Sequence, residues 1–159
     1  MARLEETDAS LIRLAQSGDL KFLIDIERKT NITLWSDQHI NNAIKAGQVR
    51  VYLSSGQQTP CAFLIEQIVE TEATLLHLVV SSNYQSQGIG RMLLSSWIES
   101  LPKSITTIWL EVRRSNHIAQ HLYQSLGFQQ QYIRKAYYRS DTTEPKEDAL
   151  VFCYNRVSD

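Results

Sequence analysis

The chain has 159 residues, of which 43% are apolar and 21% charged, a composition typical of a globular domain with its own core. The formal net charge of −1 gives no reason to expect direct binding of nucleic acid or of an anionic membrane. No apolar run approaches the roughly 20 residues that cross a bilayer, and the start lacks the apolar segment of a secretory signal. We therefore expect a cytoplasmic protein with a single domain over residues 1–159, of which residues 1–10 form an N-terminal extension.

The sulfur and imidazole groups do not suggest a metal centre. Cys61 and Cys153 both lie in apolar, strand-like segments, which suits buried reduced thiols better than a disulfide. Neither cysteine has a second Cys or a His nearby at zinc-ligand spacing. The sequence therefore predicts no metal.

The first half of the chain predicts a short strand, two amphipathic helices and a hairpin. In the first helix, apolar residues and Glu27 recur at helical spacing. In the second helix, Ser36 is suited to be the N-cap and Gly47 to end the last turn. The predicted elements are strand Leu11–Ala15, helix Asp19–Lys29, a helix between Ser36 and Gly47, and strands Val49–Leu53 and Cys61–Glu70.

The second half alternates strands and helices. Apolar residues on one helical face precede Pro102, and a second apolar stripe that begins at Ile118 is closed by Gly127. This order predicts an α/β fold around a partly antiparallel sheet, and not a doubly wound nucleotide fold. The predicted elements are strands Thr74–Val80, Thr107–Val112, Gln129–Ala136 and Ala149–Tyr154, with helices Gly90–Leu101 and Ile118–Leu126.

The most informative segment is the loop Gln85–Gly90, which follows a buried strand and opens a helix. Glycines let a backbone approach a ligand closely, and the start of a helix favours an anion. The loop lacks the Lys and Ser/Thr of a Walker sequence and is not G-x-G-x-x-G, which excludes the two commonest nucleotide loops. Taken alone, the pattern also fits an ordinary strand–turn–helix.

The motif Q-x-x-G-x-G, placed after a strand that ends in Leu78-Val79-Val80, is similar to the acetyl-CoA pyrophosphate loop of the GNAT superfamily. Over most of the chain after residue 11, and most strongly over residues 74–152, the sequence resembles the RimI-type ribosomal-protein alanine N-acetyltransferases. The similar segments are Trp109–Arg113, Ser115-Asn116, Ala119–Phe128, Tyr137-Tyr138 and Glu147–Leu150.

This resemblance implies the GNAT acyl-CoA N-acyltransferase fold, a mixed and mostly antiparallel sheet of about seven strands flanked by about four helices. It also implies an acyltransferase that uses acetyl-CoA as co-substrate. The acceptor would be the N-terminal amine, alanine, of a small-subunit ribosomal protein, which attacks the thioester directly. A monomer is expected rather than a stable oligomer.

The resemblance further implies which residues hold the cofactor. Backbone groups of Leu78, Val79 and Val80 would bind the pantetheine arm and polarise the acetyl carbonyl. Asn116 would contact the CoA arm, although Asn before a helix is also an ordinary N-cap. The residues implied around the pyrophosphate are Gln85, Gln87, Gly88, Ile89, Gly90 and Arg91, of which Arg91 is, on its own, a common type of solvated surface residue.

For catalysis the resemblance assigns Glu111 as general base and Tyr123 as general acid, the latter also touching the cofactor. A carboxylate in mid-strand is costly to bury unless it is paired or used, and the residues alone leave open a salt bridge to Arg113 or another cation on the sheet face. A phenol of pKa about 10 can protonate a thiolate, whose thiol has a pKa near 8.5. Helical periodicity alone would instead make Tyr123 a core aromatic.

On the acceptor side, Tyr137 and Tyr138 are expected at the start of the last long loop, which would close over the incoming peptide. Trp35, in the junction Asn31–Ser36, would help to form the opposite wall. Arg139 stands where the family commonly has proline. Two alternatives stay open at this point: a GNAT enzyme for a small amine or a protein lysine, and a non-catalytic acyl-CoA-binding module.

Overall fold

The structure is a computed structural model that describes residues 11–30, 35–138 and 146–157. The predicted extension 1–10, residues 31–34 of the predicted junction Asn31–Ser36, and Arg139 lie outside the described residues. Within the described ranges, no helix is long and apolar enough to cross a membrane.

The described residues contain seven strands and four α-helices. The strands are β1 (Ile12–Leu14), β2 (Val49–Leu53), β3 (Pro60–Val69), β4 (Glu72–Val80), β5 (Thr107–Arg113), β6 (Gln129–Tyr138) and β7 (Glu147–Asn155). The helices are α1 (Leu20–Thr30), α2 (Asp37–Lys45), α3 (Ile89–Ser100) and α4 (His117–Ser125), with short 3-10 turns at Ser17–Asp19 and Ser82–Tyr84.

The strands follow the order β1-β2-β3-β4-β5-β7-β6 in one sheet. β4 and β5 run parallel, whereas the pairs β1–β2, β2–β3, β5–β7 and β6–β7 are antiparallel. The parallel register joins Glu72–Leu75 to Thr107–Leu110, and β4 continues beyond it to Val80. The predicted fold class, a mixed and mostly antiparallel sheet with four helices, is confirmed.

The chain divides into two compact units, of which the first takes the described parts of residues 1–66 and 77–101. Here α1 and α2 cover one face of β2 and β3 with a continuous apolar core. The start of α2 follows from its sequence, because the Ser36 hydroxyl accepts the His39 N–H at 3.1 Å and so caps the first turn. The buried residues of α2 are Ile40, Ala43 and Ile44, as the predicted apolar stripe requires.

The second unit takes residues 67–76 and the described part of 102–159. In β5 the side chains alternate, with Ile108, Leu110 and Val112 buried and their neighbours half-buried, the period of a strand with one face in the core. β7 lies between β5 and the edge strand β6, whose residues 129–137 are all exposed.

The structure corrects two details in this unit. Ile118, expected on the apolar stripe of α4, is 87% exposed, so burial in this helix is concentrated at Tyr123. Tyr137 and Tyr138 belong to β6 and do not begin a loop. The strand reaches them because Ala136 adopts a left-handed backbone (φ 51°), a bulge that shifts the register between Arg134 and Tyr138.

Candidate active site

The predicted phosphate loop joins β4 to α3 within the first unit. The side-chain amide of Gln85 donates to the Val80 carbonyl at 3.0 Å and ties the loop to the end of the strand. Gly88 has a φ of 80° and occupies the N-cap position of α3, a left-handed conformation that glycine adopts without strain. The loop turns sharply at this residue, which explains why the motif requires glycine there.

The start of α3 has the properties of an anion site. Its first intrahelical hydrogen bond runs from the Met92 N–H to the Gly88 carbonyl, so the amides before Met92 lie at the open end of the helix. The first turn contains no acidic residue, and Arg91 is exposed within it. The helix dipole and the guanidinium therefore both favour a negative ligand here.

A cavity of about 350 Å³ lies next to this loop. Of the residues predicted to bind cofactor, Gln87 and Ile89 line it, together with residues of the β2–β3 hairpin such as Ser54 and Cys61. None of the three β4 residues expected to hold the pantetheine arm lines it. The cavity thus borders the loop and the hairpin and is not lined by those β4 residues.

Those three β4 residues differ in exposure. Val79 is buried and belongs to the core beneath α1 and α2, whereas Leu78 and Val80 are half-buried. All three lie beyond Leu75, the last β4 residue in register with β5. Only the Val79 side chain belongs to the core of the first unit, and the role expected of all three residues concerns the backbone.

Trp35 is half-buried and anchored by contacts within the first unit. Its backbone N–H donates to Glu27 Oε1 at 3.0 Å, and its indole stacks on the His77 ring with centroids 5.5 Å apart. From the sequence, Glu27 is predicted only as a residue of the first helix, and His77 is not singled out. A histidine in the middle of an otherwise apolar strand was the available signal.

In the second unit, Glu111 forms an ion pair with Arg134, whose guanidinium Nη1 lies 2.5 Å from Glu111 Oε1. The register places Glu111 opposite Val151 of the intervening β7 and Arg134 opposite Ala149, two residues away on the same face of the sheet, so the ion pair runs diagonally across β7. The partner left open by the sequence is thus another cation on the sheet face and not Arg113. The Glu111 side chain remains 28% exposed and accessible to a ligand.

The two tyrosines at the end of β6 each lie under an arginine. Arg134 sits over the Tyr137 ring at 4.5 Å and Arg113 over the Tyr138 ring at 4.2 Å, while the two phenol rings meet edge-on at 5.2 Å. Burial, and next the negative charge of Glu111, raise the pKa of Tyr138 to about 12. The structure therefore brings Glu111, Tyr137 and Tyr138 together, with Arg134 as a residue that the sequence did not single out.

Tyr123 is the buried residue of α4, with its ring 6.0 Å from Phe128 and 6.5 Å from Phe152. Burial raises the pKa of its hydroxyl well above the usual tyrosine value, and the neighbouring Tyr138 raises it further. The phenol therefore stays protonated at neutral pH. Its packing is also that of the core aromatic that periodicity alone predicts.

Asn116 caps α4 by accepting the Ala119 N–H at 3.1 Å, the ordinary role that the sequence left open. The segment before it is held by β7, because Glu147 accepts the Ser115 N–H at 2.7 Å and pairs with Arg113. Across the described residues, no group of three or more His, Cys, Asp or Glu side chains could hold a metal ion.

The mixed sheet and the glycine loop at the start of α3 define an acyl-CoA N-acyltransferase fold. Residues 20–128 match the acetyltransferase (GNAT) family. An alanine N-acetyltransferase of ribosomal protein bS18 from Escherichia coli K12 is 38% identical over 137 residues, which are 86% of this chain and 90% of that protein. The chain therefore belongs to the GNAT family of acetyltransferases.

Solved structures with the same fold support this assignment. The ribosomal-protein-S18-alanine N-acetyltransferase of Escherichia coli has a TM-score of 0.81 at 36% identity, covering 91% of this chain and 92% of its own. Arabidopsis thaliana NAA60 in complex with acetyl-CoA has a TM-score of 0.81 at 18% identity, covering 91% and 98%. At that identity the second match concerns the fold alone.

Proposed function

We propose that the protein transfers the acetyl group of acetyl-CoA to the N-terminal alanine of ribosomal protein bS18. The observation that carries this proposal is the 38% identity, over 90% of its length, to an enzyme of that description. The net charge of −1 supports an acceptor that is protein rather than nucleic acid. Because the acceptor is a ribosomal protein, we place the reaction in the cytoplasm.

Acetyl-CoA would bind through backbone groups and a helix start. The amides at the open end of α3, with Gln87, Ile89, Gly90 and the Arg91 guanidinium, would hold the pyrophosphate. The left-handed turn at Gly88 supports this arrangement because it brings the backbone to the start of the helix without a side chain in the way. Gln85 would act indirectly, since its amide is used to fix the Val80 carbonyl.

The strand and the α4 cap would hold the rest of the cofactor. Backbone groups of Leu78, Val79 and Val80 would bind the pantetheine arm, and one N–H there would polarise the acetyl carbonyl. Their position past the end of the β4–β5 register supports this role, because it leaves that backbone outside the parallel ladder. Asn116, at the start of α4, would contact the CoA arm as well as cap the helix.

Glu111 would remove the proton from the acceptor amine. An α-amino group has a pKa of about 7.7–8.0, so at neutral pH it arrives mostly as an ammonium that must lose one proton before it can attack. Glu111 is paired with the Arg134 guanidinium. When the acceptor binds, its ammonium group would take the place of that guanidinium at the carboxylate. Glu111 then takes the proton, directly or through one water.

Tyr123 would complete the reaction. The neutral amine nitrogen attacks the thioester carbon, the carbon–sulfur bond breaks, and the CoA thiolate leaves. Tyr123 would donate its hydroxyl proton to that thiolate, since the phenol still carries this proton at neutral pH. On the acceptor side, Tyr137, Tyr138 and Trp35 would contact the first residues of the peptide.

The test is release of free CoA thiol with a short peptide beginning Ala-Arg, beside the same peptide with a blocked N-terminus and a free lysine. Turnover only with the free terminus, lost at least 100-fold or so in Glu111→Gln, is expected if Glu111 is the base. Glu99→Gln, an exposed position on α3, is the matched control and should keep full activity. Turnover on the blocked peptide would indicate a lysine acceptor, and turnover on neither peptide would indicate a small-amine acceptor. Tight CoA binding without any turnover would indicate a non-catalytic module.

A further inference from the structure

Glu27 is a buried carboxylate with both oxygens engaged. It lies on α1 with 1% of its surface exposed. Its Oε1 accepts the backbone N–H of Trp35 at 3.0 Å, and its Oε2 lies 2.6 Å from His77 Nε2 on β4. A buried carboxylate is costly unless such partners hold it, so the three residues form one polar cluster inside an apolar core.

The same cluster joins three segments of the first unit. The His77 ring stacks on the Trp35 indole with an interplanar angle of 21°, and it meets Phe63 of β3 edge-on at 5.7 Å. Helix α1, the residue before the N-cap of α2 and strand β4 are therefore fixed to one another at a single point. His77 directly precedes Leu78, the first of the backbone groups proposed to bind pantetheine.

Stability alone gives little reason for this arrangement. A buried salt bridge is weak evidence for stability, because apolar residues of similar volume often replace one without loss, and the same argument applies to the hydrogen-bonded Glu27–His77 pair. Apolar side chains at these two positions, however, could not accept the Trp35 N–H, the hydrogen bond that holds the backbone at that residue. The contacts of Glu27 and His77 therefore fix the position of Trp35.

We propose that Glu27 and His77 are positioning residues for the acceptor. They hold Trp35, one proposed wall of the peptide site, in a fixed relation to the β4 backbone that binds the thioester. This inference rests on the function proposed above. A wall that is already fixed in the free protein need not be ordered when the acceptor binds, so holding Trp35 in place lowers the KM for the acceptor.

The test replaces the polar pair by an apolar one, Glu27→Leu with His77→Leu, which preserves packing and avoids leaving a lone buried charge. We expect the KM for the Ala-Arg peptide to rise about tenfold while the KM for acetyl-CoA stays within about twofold. The single variant His77→Gln keeps Glu27 and a side-chain N–H near it. Its KM for the peptide should therefore stay close to that of the wild type. Asp25→Asn, in the exposed Asp25–Lys29 pair of the same helix, is the matched control and should change neither KM.

A second measurement does not depend on turnover. The Trp35 backbone amide should exchange slowly with solvent in the unliganded protein, because it donates to a buried carboxylate, and at least about tenfold faster in the folded double variant. An unchanged peptide KM or an unchanged exchange rate in that variant would overturn the inference. If the wild type turned over no peptide although Trp35 exchange responded as expected, the proposed function and the acceptor role of the cluster would both fail, while cofactor binding could still be measured by itself.

Discussion

Replacing Tyr123 by Phe removes a single hydroxyl from a well-packed site. The Tyr123 ring lies 6.0 Å from Phe128 and 6.5 Å from Phe152, contacts that a phenylalanine ring retains. The variant should therefore fold, with a melting temperature close to that of the wild type. Any large loss of activity then reports on the hydroxyl and not on the core.

The size of the loss follows from the role proposed for that hydroxyl. A positioned general acid contributes about 10²–10⁴-fold, which is about 3–5 kcal/mol of barrier. Because burial raises the pKa of Tyr123, the phenol stays protonated at every pH below the usual tyrosine value of about 10. The defect in kcat should accordingly be the same at pH 7 and at pH 9, and Tyr123 should add no alkaline limb to the wild-type profile in that range.

The assay is CoA thiol release with the Ala-Arg peptide at saturating substrate. Tyr154→Phe is the matched control, since the Tyr154 ring lies 5.4 Å from Phe128 in the same aromatic cluster and has no proposed role in the reaction. The reasoning is refuted if Tyr123→Phe keeps more than about a third of wild-type kcat, or if Tyr154→Phe loses as much. Either result would leave Tyr123 as the core aromatic that helical periodicity predicts.

Two further predictions concern the phosphate loop and the thiols. Gly88→Ala forces a left-handed conformation on an L-residue, which should destabilise the fold by about 1–2 kcal/mol and lower the melting temperature. The same variant should bind CoA more weakly, as measured by titration. Gly56→Ala, at a position with no such φ, is the control and should change neither quantity. Burial raises the pKa of the Cys61 thiol to about 11 and also raises that of Cys153, so at pH 8 about one Cys61 in a thousand is thiolate. Neither should react with dithionitrobenzoate until guanidinium unfolds the chain, and fast labelling of the native protein would contradict this burial.

Most of the fold could be predicted because each element has its own local signal. The second helix begins at Asp37 because Ser36 caps it, and the predicted apolar stripe is the buried one. The helix after the glycine loop was predicted from Gly90 and is observed from Ile89. The difference comes from Gly88, whose left-handed backbone makes it the N-cap without any side chain to mark the position.

Burial at the edge of the second unit could not be predicted in the same way. Periodicity places Ile118 on the apolar side of α4, but it cannot say whether another element covers the first turn, and Ile118 is 87% exposed. The length of β6 likewise depends on a bulge at Ala136, a residue with no turn preference. That bulge is held from outside the strand, since Asp148 Oδ1 accepts the Ala136 N–H at 2.9 Å.

In the candidate site as well, the residue types that could react can be predicted from the sequence, whereas the contacts that position them cannot. The segment Glu147–Leu150 is one of the features that carry the resemblance, yet the sequence predicts no role for the carboxylates of Glu147 and Asp148. Glu147 fixes the Ser115 amide before the α4 cap, and Asp148 fixes the Ala136 bulge before the two tyrosines. The sequence does not show which carboxylates would react and which hold the backbone in place. That depends on whether a carboxylate reaches a backbone amide elsewhere in the fold, as Glu147 and Asp148 do. The ion pair of Glu111 with Arg134 follows the same rule, since it is set by the register of two strands on β7 and not by any spacing along the chain.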